Sequence, residues 1–131
     1  MEYRMVALLN EGERAMWQWR RGDEVSVVDQ AFHFTADTVE DALERFWTVG
    51  NKMGADDRGM EWPRGRRSMC TGDIVMAVED GDTTGKSVAL WACDMIGWKP
   101  LEKYLADNAR REAEIEAKLA AERDAGKAVT A

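Results

Sequence analysis

The sequence predicts an α+β fold: a small, mainly antiparallel sheet of four to five strands, one packed helix and a long C-terminal helix. Three observations carry this. Two apolar runs, Met69–Val78 and Ser87–Met95, flank the acidic, glycine-bearing stretch Glu79–Gly85, which is the pattern of a β-hairpin. Thr38 and Asp41 form a capping box ahead of Val39, Ala42, Leu43, Phe46 and Trp47, whose spacing draws one apolar stripe along a helix. After Pro100, which suits a helix's first position, Ala, Glu, Lys and Arg dominate to about Arg123 without a breaker.

In chain order, Tyr3–Leu9 is apolar and rich in strand formers, and Asn10-Glu11-Gly12 closes it. Within Glu13–Arg21, Trp17 and Trp19 alternate with Gln18 and Arg20, which predicts a second strand turned back on the first. Arg21-Gly22-Asp23 then makes a turn, and Glu24–Phe34 a further strand with an irregularity at Asp29-Gln30. The helix covers 38–49, stopped by Gly50-Asn51 as by a glycine just past a last turn. Lys52–Arg67 has three glycines, the internal Pro63 and no period, so it reads as a long loop.

In the last helix, Leu101, Tyr104, Leu105 and Ala109 are expected to dock on the body. Beyond them the apolar stripe thins to Ile115 and Leu119, so the second half is expected to project and Asp124–Ala131 to fray. The division is a core domain over 1–100 and a helical extension over 101–131. A lone projecting helix of about 15 residues is marginal in water, which predicts a homodimer through this helix.

The chain has 131 residues, a net charge of −7 and 33% charged residues. Residues 1–100 carry 18 acids against 12 bases, and the remainder 7 against 6, so the acidity belongs to the body. That balance opposes broad affinity for nucleic acid or an anionic membrane. No run reaches the roughly 18 apolar residues of a membrane span. MEYRMVALLN lacks the basic start and long apolar core of a signal peptide. With Cys70 and Cys93 as the only cysteines, the expectation is two reduced thiols in a cytoplasm.

Motifs for chemistry do not assemble. His33 is the sole histidine and has no His or Cys partners at ligand spacing, so no metal and no cofactor are expected. Neither GADDRG nor GDTTGK has P-loop spacing, and G-x-S-x-G is missing. Glu79-Asp80-Gly81-Asp82 has the acids of a calcium loop but precedes a strand rather than a helix. Two aromatic-basic groups remain: Trp62 with Arg64, Arg66 and Arg67, and Trp17 and Trp19 with Arg20 and Arg21. Bases stack on tryptophan while phosphates meet arginine, yet Trp and Arg are also the preferred anchors of protein interfaces. Against a net charge of −7, these residues point to a protein partner ahead of nucleic acid.

One segment resembles a known group. Arg67-Ser68-Met69-Cys70-Thr71-Gly72-Asp73-Ile74-Val75, then Trp91-Ala92-Cys93-Asp94-Met95-Ile96-Gly97-Trp98, resembles the paired strands of small phage, plasmid and conjugative-element proteins. These include YodL-like domains and uncharacterised actinobacterial and actinophage proteins. Phe46-Trp47-Thr48-Val49-Gly50-Asn51 is similar to a segment upstream in the same group, so the resemblance covers roughly residues 46 to 101. Cys70 and Thr71 depart from its usual Ser and Val. The resemblance implies a mobile element in a bacterial host cytoplasm and no catalytic residues. The expected function is a non-enzymatic accessory protein that binds a host or phage protein, in host takeover or anti-defence. A nucleic-acid-binding module on the Arg/Trp patch is the alternative, ahead of a small enzyme.

Overall fold

The computed structural model describes the backbone of residues 1–130 and the side chains of residues 1–126. The chain divides into two units, one over Met1–Leu101 and a helical one from Glu102 onward. Within the first, β1 (Glu2–Asn10), β2 (Val25–Val27), β3 (Phe32–Thr35), β4 (Ile74–Glu79), β5 (Ala89–Asp94) and β6 (Gly97–Pro100) form one sheet. The order is β2-β1-β4-β5-β6, β3 also pairs with β1, and every pairing is antiparallel. Helix α1 (Val39–Gly50) packs on this sheet, and α2 (Leu101–Thr130) follows β6 directly. The α+β class is therefore as the sequence predicts, with six strands among the described residues rather than four or five.

The alternation in β1 explains the core. Tyr3, Met5, Ala7 and Leu9 are buried on one face, and the register sets Met5 against Phe32 and Ala77, and Ala7 against Val75. Onto that face α1 delivers Ala42, Leu43, Phe46 and Val49. Phe46 meets Phe32 at 5.0 Å, Phe34 at 5.7 Å and Trp62 at 6.2 Å between ring centroids. Each such aromatic contributes roughly 1.5–3 kcal/mol by leaving water. Thr38 caps α1 by accepting from Asp41 N at 3.2 Å, as its sequence predicts.

Three expectations are corrected. Glu13–Arg21 is a run of turns (Ala15 N to Gly12 O, 3.1 Å; Gln18 N to Arg14 O, 2.8 Å), because β2 and β4 already occupy both edges of β1 at that end. Gly50 belongs to α1 rather than lying past it. A Cβ there would meet Met69 Cβ at 2.9 Å, so this glycine lets the chain before β4 approach the helix. The expected strand Met69–Val78 starts only at Ile74, because Cys70–Asp73 closes as a turn (Asp73 N to Cys70 O, 3.1 Å). Gly97–Pro100, by contrast, forms an extra strand. The backbone of α2 is helical from Leu101 to Thr130, and Ala131, the end of the segment expected to fray, lies outside the described residues.

The irregularity expected in Glu24–Phe34 is present as a break between β2 and β3. Across it the pairing slips by two residues, from Leu8 opposite Val27 to Met5 opposite Phe32. The free edge of β3 is also satisfied. His33 N donates to Asp56 Oδ2 at 2.8 Å and Thr35 N to Asp57 Oδ2 at 2.6 Å, so two loop carboxylates cover a strand edge that would otherwise template aggregation.

One polar cluster joins these parts. Asp73 has 0% of its surface exposed, and its carboxylate accepts four donors. Asn10 N and Arg67 Nη2 reach Oδ1, each at 2.8 Å, while Arg67 Nη1 and Cys70 N reach Oδ2 at 2.8 and 2.7 Å. Removing the cation leaves a buried charge with two amide donors. Arg67→Ala is expected to cost about 3 kcal/mol in urea denaturation, whereas Arg64→Ala, at an exposed position, changes stability by less than about 0.5 kcal/mol.

Candidate functional site

The predicted aromatic-basic patch does not form as one surface. Trp62 is buried, stacks on Phe32 at 5.9 Å and donates Nε1–H to Arg67 O at 2.9 Å. Arg66 donates to Ser26 Oγ and to Val27 O (2.7 Å), pinning β2. Arg67 is held by Asp73 and also donates to Asn10 O at 3.1 Å. Three of the four residues in that group thus hold the fold. Arg64 is exposed, beside a depression it shares with Lys52, Glu61 and Pro63. In the other group, Trp19 is half-buried with Nε1–H on Asp23 O at 3.1 Å, Arg20 is exposed, and Trp17 is 68% exposed.

The remaining polar clusters are explained by local bonding. His33 Nδ1 lies 3.2 Å from Asp80 Oδ2, and Arg58 lies 3.4 Å from His33 Nε2 and 3.3 Å from Asp80 Oδ2. Both ring nitrogens therefore have partners within the fold. Asp82 accepts from the backbone N–H and hydroxyl of both Thr84 and Ser87, a turn held by its own side chain. Burial first, then Asp73, Asp94 and Glu44, push the Cys93 thiol up to about 12, which favours its protonated form. Among the described residues no three His, Cys, Asp or Glu side chains are grouped to hold a metal, and no helix is long and apolar enough to cross a membrane.

A different surface emerges at the end of the sheet where β1 finishes and β5 turns into β6. Between Asp94 and Gly97 the turn consists of Met95 and Ile96, 76% and 97% exposed. Beside it runs a groove of about 420 Å³, whose walls include Trp47 of α1, Trp98 of β6, Glu44, Asp94 and Thr71. The two indoles lie 6.3 Å apart at 80°. Gly72 joins this groove to the Trp17 loop: its N–H donates to Cys93 O at 2.8 Å. Its φ is +90°, and a Cβ would come within 2.8 Å of Trp17 C and 2.7 Å of Gln18 N. Asn10 Nδ2 spans both, donating to Gln18 O at 2.8 Å and Gly72 O at 3.3 Å. Met16 and Trp17 consequently share one end of the sheet with Met95, Ile96 and the tryptophan groove.

Sequence reasoning named Trp17 and missed the rest. In the sequence Met95 closes a strand and Ile96 lies just beyond it, and only the tight return at Gly97 makes the pair a turn tip. The available signal was two large apolar residues between Asp94 and Gly97, where a turn ordinarily carries polar ones. No protein-family model matches this chain, and no curated protein or solved structure matches it significantly.

Several carboxylates are held below their usual range: Asp57 by its bond from Arg45, Asp80 by that from His33, and Asp82 by those from Ser87 and Thr84. Unfolded aspartates take up protons near pH 3.9 while these remain ionised in the native state. The unfolded state therefore binds more protons in that range, and stability present above it is lost as pH falls. Urea midpoints are expected to drop between pH 5 and about pH 3, and Asp82→Asn to show a shallower drop than wild type over the same interval.

Proposed function

We propose that this chain is a non-enzymatic accessory protein of a phage or mobile element. It acts by binding a host or phage protein in the bacterial cytoplasm. The observation that carries the binding reading is the apolar end of the sheet, where Met16, Trp17, Met95 and Ile96 are 60%, 68%, 76% and 97% exposed. Exposed apolar clusters next to a groove mark interaction sites, and tryptophan and methionine are enriched in interface cores. The mobile-element context rests on the resemblance of Arg67–Val75 and Trp91–Trp98 to proteins of that kind. A nucleic-acid role has less support, since Trp62, Arg66 and Arg67 already serve the fold.

The second unit supports self-association. Ile115 and Leu119, one helical turn apart on α2, are 52% and 49% exposed on a helix otherwise dominated by Ala and charged residues. A homodimer through this stripe covers both. Light scattering is expected to give a dimer mass for the full chain and a monomer mass for Ile115→Asp with Leu119→Asp; a wild-type monomer would refute the dimer.

The main test uses the full chain as bait in a bacterial host lysate. Trp17→Ala combined with Ile96→Asp is expected to keep its melting temperature and lose the partner by about 30-fold in affinity. Undiminished capture by that variant, or no stoichiometric partner for wild type, overturns the reading.

A further inference from the structure

We propose that the corner between Trp47 and Trp98 receives a cationic side chain, arginine or lysine, from an apolar segment of the partner protein. This deepens the binding reading above and rests on it. The two indoles stand nearly perpendicular, 6.3 Å between centroids, along one groove of about 420 Å³. Indole faces carry negative potential and are the strongest aromatic partners of ammonium and guanidinium groups. The groove's lining also holds two carboxylates and no Lys, Arg or His. Asp94 is engaged by Lys99 at 2.9 Å. The carboxylate of Glu44 has no hydrogen-bond or ion-pair partner among the described residues, so the groove presents one uncompensated acid beside two aromatic rings.

The same arrangement is already used inside the molecule. Arg45 places its guanidinium 5.2 Å from the centre of the Phe34 ring and pairs with the Asp57 carboxylate. There ring, cation and acid come from one chain; at Trp47 and Trp98 the cation comes from the partner. Met95 and Ile96 on the rim then meet the apolar neighbours of that cation, which makes the ligand a segment rather than a free ion. A second copy of this chain is the wrong occupant, because a body of 18 acids and 12 bases meets an acidic groove with like charge.

The test titrates capped Leu-Arg-Leu, Leu-citrulline-Leu and Leu-Glu-Leu peptides into the full chain, reading the indole N–H resonances of Trp47 and Trp98. Citrulline keeps the shape of arginine and removes its charge. The arginine peptide is expected to shift both resonances and bind about tenfold tighter than citrulline, with glutamate weakest. In Glu44→Gln the arginine peptide is expected to lose most of that advantage while the citrulline peptide is unaffected. Equal affinity for arginine and citrulline overturns the cation assignment and leaves an apolar docking surface. Silence of both resonances with every peptide overturns it as well. Neither result touches the binding reading itself, which stands or falls with the Trp17→Ala, Ile96→Asp capture experiment.

Discussion

The buried carboxylate of Asp73 is the constraint from which one end of the domain is built. Its four acceptor contacts bind the last residue of β1, the arginine before β4 and the turn at Cys70 into one unit. A fully buried acid with a bidentate arginine and two backbone N–H donors is satisfied on both oxygens, which is the condition for tolerating such a charge. The neighbouring contacts build on this clamp. Asn10, held through its own N–H, uses its side chain to position Gly12, Gln18 and Gly72. Gly72 in turn ties the strand start to Cys93 of β5 and leaves room for the Trp17 loop. The exposed apolar end is thus mounted on a buried, fully satisfied polar cluster.

Several aspartates of this protein act as backbone acceptors. Asp56 and Asp57 close the free edge of β3, Asp82 shapes the hairpin connection, and Asp73 anchors β1. Three arginines are taken up by acceptors of the fold itself: Arg45 by Asp57, Arg66 by β2 and Arg67 by Asp73. This use of arginine explains why a patch rich in Trp and Arg by sequence is not a basic surface in the fold. It also leaves Glu44, beside Trp47 and Trp98, without a cation among the described residues.

Much of the framework was legible because its causes are local. The capping box at Thr38 and Asp41, the alternation in β1 and the hairpin of β4 and β5 each arise from residues a few positions apart. The Glu13–Arg21 segment shows where that approach fails. Its alternating tryptophans suit a strand, yet a strand needs a free edge, and β2 and β4 occupy both. Gly50 likewise has the local look of a stop signal, whereas its role is to admit Met69, nineteen positions away. The site was largely illegible for the same reason. Trp47, Thr71 and the Cys93–Trp98 stretch are three separate segments, and no spacing links them.

By itself the sequence determined the α+β class, the helix at 38–49, the central hairpin and the acidic character of the body, since periodicity, capping and charge are properties of neighbouring residues. Tertiary structure decided which arginines and tryptophans remain available. A guanidinium is free or spent according to which carboxylate the fold brings within about 3 Å, as Arg67 and Asp73 show. An indole is core or surface according to which strand lies over it, as Trp62 and Trp17 show. Those outcomes depend on contacts between residues distant in the chain, and only the folded arrangement contains them.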